Sequence, residues 1–286
     1  MPRVIDTTAD FLSFAAEVQL ESPLTREMRW RERYEAAHGD VFEAYYTAQG
    51  SRDRPASMVQ NLGRVRKHVE ETAQALPGII EEVDPEVGRV MGYSADEGPV
   101  HVLLVGTAGA NAVVGKLGDD TAVFHLLEWV QAPDAARIAV AHETAHAWHQ
   151  IHLGESPPGE DDIAWVTFSE GLAIRASREV APGQPEQDYF WYGIPGFEGW
   201  PAWCEEHGAG LRRQLFRVLD DPAGAQAMFG AGALDGHHRT GFYVADDVVE
   251  AMHRPLPELA AWSVSHARAA VRAALQHTHS HKGGHG

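Results

Sequence analysis

One cysteine in 286 residues, Cys204, leaves no partner for an intrachain disulfide, and it excludes cysteine-built structural zinc sites and iron–sulfur ligation. Basic residues are scarce as well: 23 Lys and Arg stand against 41 Asp and Glu, a formal charge of -18. A surface of that sign lacks the basic footprint that phosphate backbones require, so nucleic acid is not an expected partner. Long apolar runs are missing too. No stretch reaches the roughly 18 uninterrupted apolar residues of a membrane span, and Asp6, Asp10 and Glu17 interrupt the segment where a signal peptide would need an apolar core. A soluble, cytoplasmic protein with no membrane attachment is the expectation. What the chain has in plenty is histidine, 17 in all. Four stand at 142, 146, 149 and 152, and four more at 277, 279, 281 and 285.

Apolar residues recur at helical spacing through Phe11, Phe14, Ala15 and Val18, and again through Val41, Phe42, Tyr45 and Tyr46, which predicts a helical region over residues 1–95. Three β-rich runs between 99 and 130, separated by GTAGA and GDD, read as a small, mostly antiparallel sheet. Pro133 and Asp134 then open a helix that runs to about Leu153, with proline in its first turn and a carboxylate at the positive end of the dipole. Further helices fit 162–179, 205–220, 244–253 and 256–276, and the aromatic-rich segment 181–203 reads as an ordered loop. The result is an α+β protein whose sheet packs on the 133–153 helix. Residues 96–276 carry the site and continue from the N-terminal part, while 277–286 form a disordered His-rich tail.

Within the 133–153 helix stands His142-Glu143-Thr144-Ala145-His146. Residues four apart on an α-helix lie one turn apart, about 40° around the axis and 6 Å along it, so both imidazoles can address one ion. Glu143 is turned about 100° from His142, too far round to join as a ligand but within reach of water at that ion, where it can act as base. Burying these groups among Ile138, Ala139, Val140, Ala141, Ala145 and Ala147 is costly unless something pairs them. For a third ligand, His152 has the metzincin spacing, but His149 occupies the place of the glycine that would turn the backbone. On a continuous helix His152 points about 80° away from His142. Glu170 is the better candidate. It shares helical spacing with Val166, Ala173 and Ile174 on an otherwise apolar face, where a carboxylate must be neutral or paired, and a dication is the strongest pairing. Glu155, Glu160, Asp161 and Asp162 fall in the loop between the two helices, where solvated charge needs no partner.

HExxH followed some two dozen residues later by a glutamate on a second helix resembles the gluzincins, the thermolysin and aminopeptidase type of zinc peptidase. HETAHAWHQ, FSEGLA, Arg239-Thr-Gly-Phe-Tyr243-Val and the Leu256-Pro-Glu-Leu stretch are together similar to a family of predicted zinc-dependent proteases, over roughly the last two thirds of the chain. The resemblance implies a zincin-like fold, Zn2+ held by His142, His146 and Glu170, Glu143 as general base, and a peptide or protein substrate. It also points to Tyr243 as the donor to the oxyanion, with His237 and His238 as alternatives among which spacing does not choose. Ile174 stands where thermolysin-like enzymes place the aspartate that orients a histidine, so the carboxylate behind the ligands is unassigned. Two other classes stay open: a metal-binding domain without turnover, which would not need Glu143 beside an open position, and a metal-dependent hydrolase of a non-peptide amide. An extended substrate is expected to pair with an edge strand at 111–117 or 122–130. The aromatics Tyr189, Phe190, Trp191, Tyr192, Phe197, Trp200 and Trp203 line a pocket or pack their own loop, and His149 lies on the ligand face, behind the ligands or in a solvated cleft.

Overall fold

A computed structural model describes residues 1–52, 55–94, 98–107, 109–230 and 232–280, with side chains to residue 276. Four strands, β1 (Arg3–Asp6), β2 (Val100–Leu104), β3 (Ala112–Leu117) and β4 (Asp120–Leu126), form one sheet in the order β1-β2-β4-β3. β1 runs parallel to β2 and β2 parallel to β4, and only the β3–β4 hairpin is antiparallel. The sheet is therefore mixed rather than mostly antiparallel. Two causes account for the difference. The four residues RVID are too short to announce themselves by alternation, and β2 bypasses its neighbour in sequence to pair with β4. β2 is buried along its whole length and β4 beyond its first residue, whereas β3 is half-buried at the edge.

Helices α1 (Thr8–Glu17), α2 (Pro23–Arg29), α3 (Gly39–Gln49), α4 (Ala56–Gln60), α5 (Leu62–Thr72) and α6 (Leu76–Val90) precede β2, and a π-helical segment over Trp30–Glu35 extends α2. Both predicted apolar stripes are buried here. Phe11, Trp30, Tyr34 and Phe42 meet largely edge to face, with Tyr34 and Phe42 ring centroids 5.1 Å apart, the arrangement that the ring quadrupole favours. Tyr34 ties this cluster to the sheet: its hydroxyl meets Thr7 Oγ1 at 2.7 Å and accepts the Val105 N–H at 2.9 Å.

After the sheet come α7 (Pro133–His152), α8 (Ile163–Val180), the short α9 (Asp188–Trp191), α10 (Trp200–Val218), α11 (Pro222–Phe229), α12 (Thr240–Glu250), α13 (Leu256–Ala260) and α14 (Val264–Ser280). The loop expected at 181–203 holds α9, and α10 starts at Trp200 because Pro201 fits a first helical turn. The helix expected over 256–276 is broken between α13 and α14. α14 also continues through Ser280, so helix rather than tail occupies 277–280, and the remainder of the expected tail, 281–286, lies outside the described residues. A single hydrophobic cluster runs from Phe11 to Leu275. Among the described residues no helix is long and apolar enough to cross a membrane.

Candidate metal centre

α7 is buried on almost every side, the condition in which a helix carries small apolar residues around its whole circumference. Its rotation is fixed from behind. Trp148 donates its indole N–H to the buried Asp84 Oδ1 at 2.8 Å, and the ring lies so close to Gly88 and Gly98 that a Cβ at either would come within 3.1 Å of it. α8 is capped by Asp162, whose carboxylate accepts the Trp165 N–H at 3.0 Å, the usual N-cap bond. Midway along α8, Gly171 lets α12 approach until a Cβ at that position would meet the Ala245 carbonyl oxygen at 2.3 Å. The two contacts set the facing positions of His142, His146 and Glu170.

The structure brings those three residues together. His142 Nε2 lies 3.1 Å from His146 Nε2 and 3.2 Å from Glu170 Oε2, and His146 Nε2 lies 3.6 Å from the same oxygen. Donors about 2.0–2.1 Å from a tetrahedral ion stand about 3.3 Å from one another, so the triangle has the dimensions of three zinc ligands. Glu170 Oε2 is buried without a well-aligned hydrogen bond, and a carboxylate oxygen in that position is the kind of orphan a cation resolves. Burial acts to raise the Glu170 pKa, but the two histidines outweigh it and hold the carboxyl well below the usual carboxylate range. Burial likewise acts to lower that of His146, while Glu170 and Glu143 bring it above the ordinary imidazole value. The donor set, two imidazoles and one carboxylate, suits zinc. Behind this triangle, the Ser169 hydroxyl lies 3.1 Å from His146 Nδ1, and no partner for the buried His142 Nδ1 is present among the described residues.

A cleft of about 910 Å3 opens over this triangle, with His142, Glu143, His146 and Glu170 on one side and Ala112–Val114 of the β3 edge on the other. Two residues that the sequence did not single out complete it, Tyr192 and Arg239. The Tyr192 ring sits 5.5 Å from that of His142 and 5.3 Å from the Arg239 guanidinium carbon. Burial pushes the phenol pKa up, against the opposing pull of Arg239, so the O–H stays protonated. Both residues have left-handed backbone, φ 50 and φ 59, a conformation that costs non-glycine residues of order 1–3 kcal/mol and gathers at functional sites. Arg239 was visible only as the first letter of RTGFYV, and Tyr192 as one aromatic among seven.

Other expected residues lie elsewhere. Tyr243 packs its ring against Phe190 and Trp200, at 6.3 and 6.2 Å, beside Gly208 of α10. The physical reason is helical phase: Phe242 faces the cleft, and the next residue is turned about 100° from it. His237 stacks on Trp203 at 3.7 Å, and His238 is held at the Gly232 carbonyl oxygen, 2.8 Å from its Nδ1, so neither lines the cleft. His152 stacks on Tyr93 and Trp148, away from the ligands. His149 is buried against Trp165 and Phe168 rather than solvated. Of the seven aromatics, Trp191, Tyr192 and Phe197 line the cleft. β4, flanked by β2 and β3, has no free edge, which leaves β3 for an extended ligand. No protein-family model matches the chain, and no curated protein or solved structure is detectably similar to it.

Proposed function

We propose that the protein is a zinc-dependent peptidase of gluzincin type with a zincin-like arrangement of sheet edge, motif helix and ligand helix. The observation that carries this reading is the 3.1–3.6 Å triangle of His142, His146 and Glu170 donors, set in a cleft with Glu143 beside it. A closed structural site would need no carboxylate base at its mouth. Zinc bound there would lower the pKa of a coordinated water toward about 7 and polarise a substrate carbonyl. Glu143 accepts the proton of the attacking water on its carboxylate and returns it to the leaving nitrogen as the C–N bond breaks. Tyr192, kept neutral by its burial, donates its O–H to the carbonyl oxygen as negative charge develops there. Ser169 fixes the ring of His146, and the unpaired edge of β3 aligns an extended backbone along the cleft.

The test pairs metal content with turnover in a chain ending before His277, so that the tail histidines do not contribute. Glu143→Gln is expected to keep one equivalent of zinc while peptide hydrolysis falls by about 10²–10⁴-fold. Unchanged hydrolysis in that variant would sink the mechanism, and full zinc occupancy in Glu170→Ala would show that the third ligand is another residue.

A further inference from the structure

Three arginines that meet α12 are each paired with carboxylates. Arg178 meets Asp246 and Glu186, Arg175 meets Asp246 and Glu250, and Arg212 meets Asp247. Arg239, at the head of the helix that carries Asp246 and Asp247, is different. Among the described residues no carboxylate pairs with it, although the chain has 41 to offer. Its Nε is buried without a partner. The guanidinium carbon lies 4.3 Å from the centroid of Phe242, 5.3 Å from that of Tyr192 and 5.5 Å from that of Trp191, so aromatic rings crowd its surroundings and displace water. Aromatic rings offer a guanidinium no hydrogen-bond acceptor along its edge, so the fork of donors that matches a planar oxyanion is left to a ligand. The left-handed backbone at Arg239 holds this placement against a steric cost.

A cation that is partly desolvated, short of one hydrogen bond and facing the substrate cleft of an acidic protein is poised for an anion that arrives with the ligand. We propose that Arg239 binds a carboxylate of the substrate, so that the cleft selects peptides presenting a free carboxylate near the scissile bond. That group is either the C-terminal carboxylate or an Asp or Glu side chain. The inference rests on the peptidase reading for its catalytic consequence and on the Arg239 environment alone for binding. Glu170 forms no ion pair with the guanidinium; its Oε2 faces His142 and His146, at 3.2 and 3.6 Å.

Three acetylated peptides of one length test it: a free acid, its C-terminal amide, and an amide carrying one internal glutamate. The zinc-loaded wild type is expected to favour one carboxylate-bearing peptide over the plain amide by about ten- to a hundredfold in kcat/KM. Which peptide it favours tells the C-terminal from the side-chain source. In Arg239→Gln the ratio collapses toward one, mainly through KM, and Arg239→Lys restores part of it by returning the charge without the fork. A loss that is equal for all three peptides, or a preference that survives in Arg239→Gln, overturns the proposal. The same peptides are titrated calorimetrically into chelator-treated protein, where zinc cannot capture the carboxylate. Binding of the carboxylate peptide that requires Arg239 upholds the proposal even if the wild type hydrolyses nothing, an outcome that would overturn the peptidase reading instead. Binding of acid and amide that is equal in the wild type refutes the carboxylate site whatever the turnover.

Discussion

Ser169 is a small residue with a large expected effect, because the 3.1 Å contact from its hydroxyl to His146 Nδ1 fixes the ring whose Nε2 would face the proposed ion. Ser169→Ala is expected to weaken zinc binding by about 10–100-fold in competition with a chelator, with the far-ultraviolet spectrum unchanged. Tyr192→Phe removes one O–H and no packing, so kcat should fall by about 10²–10³-fold with the metal retained. Tyr243→Phe should leave kcat close to wild type, since its ring packs on Phe190 and Trp200. That pair of substitutions separates the donor the resemblance implied from the one the geometry favours. The grouping of His142, His146 and Glu170 was legible in the sequence for a definite reason: the helical period alone puts His142 and His146 on one face, and Glu170 was the carboxylate its surroundings could least tolerate unpaired. Tyr192 and Arg239 were not legible, because their positions depend on the path of 181–203 and on two left-handed backbone turns that composition does not encode.

Among the elements, α7 was the most readable. Pro133 at its start and Gly154 after its end punctuate it, and the helix runs Pro133–His152 against an expectation of 133–153. Strands β2, β3 and β4 were readable in place but not in direction, since strand orientation is settled by partners distant in sequence, and β1 was not readable at all. The crossing of α8 and α12 gives the sharpest test at this scale. Gly171→Ala forces a methyl against the Ala245 carbonyl oxygen and the Val249 side chain, so the helices must part. About 1–3 kcal/mol of stability should be lost in urea unfolding. Zinc affinity should fall as well, because the neighbouring residue is Glu170, the proposed third ligand. An unchanged zinc affinity in that variant would mean that the ligand geometry does not depend on how closely these helices pack.

For the whole molecule, acid is the condition that opposes the fold. Burial pushes His149 down to about 4, assisted by His146, and holds His125, 3.0 Å from His101, well below the ordinary imidazole value. Such groups stay neutral in the folded protein at pH values where the unfolded chain takes up their protons. The contribution of these groups to stability is therefore full above about pH 6.5 and falls as pH drops toward 4, by on the order of 2 kcal/mol at pH 5 for His149 alone. The urea midpoint should decline from pH 7 to pH 5, and less steeply in His149→Phe, whose ring suits the space beside Trp165 and Phe168. A decline of equal slope in both would assign the acid sensitivity to other groups. Strand β1 carries a consequence of another kind, one of timing. The register joins Arg3 to Val100, so its partner is synthesised only after roughly a hundred residues have left the ribosome. The sheet whose β3 edge lines the cleft is therefore complete only when that long loop closes, and non-local pairing of this kind is intrinsically slow.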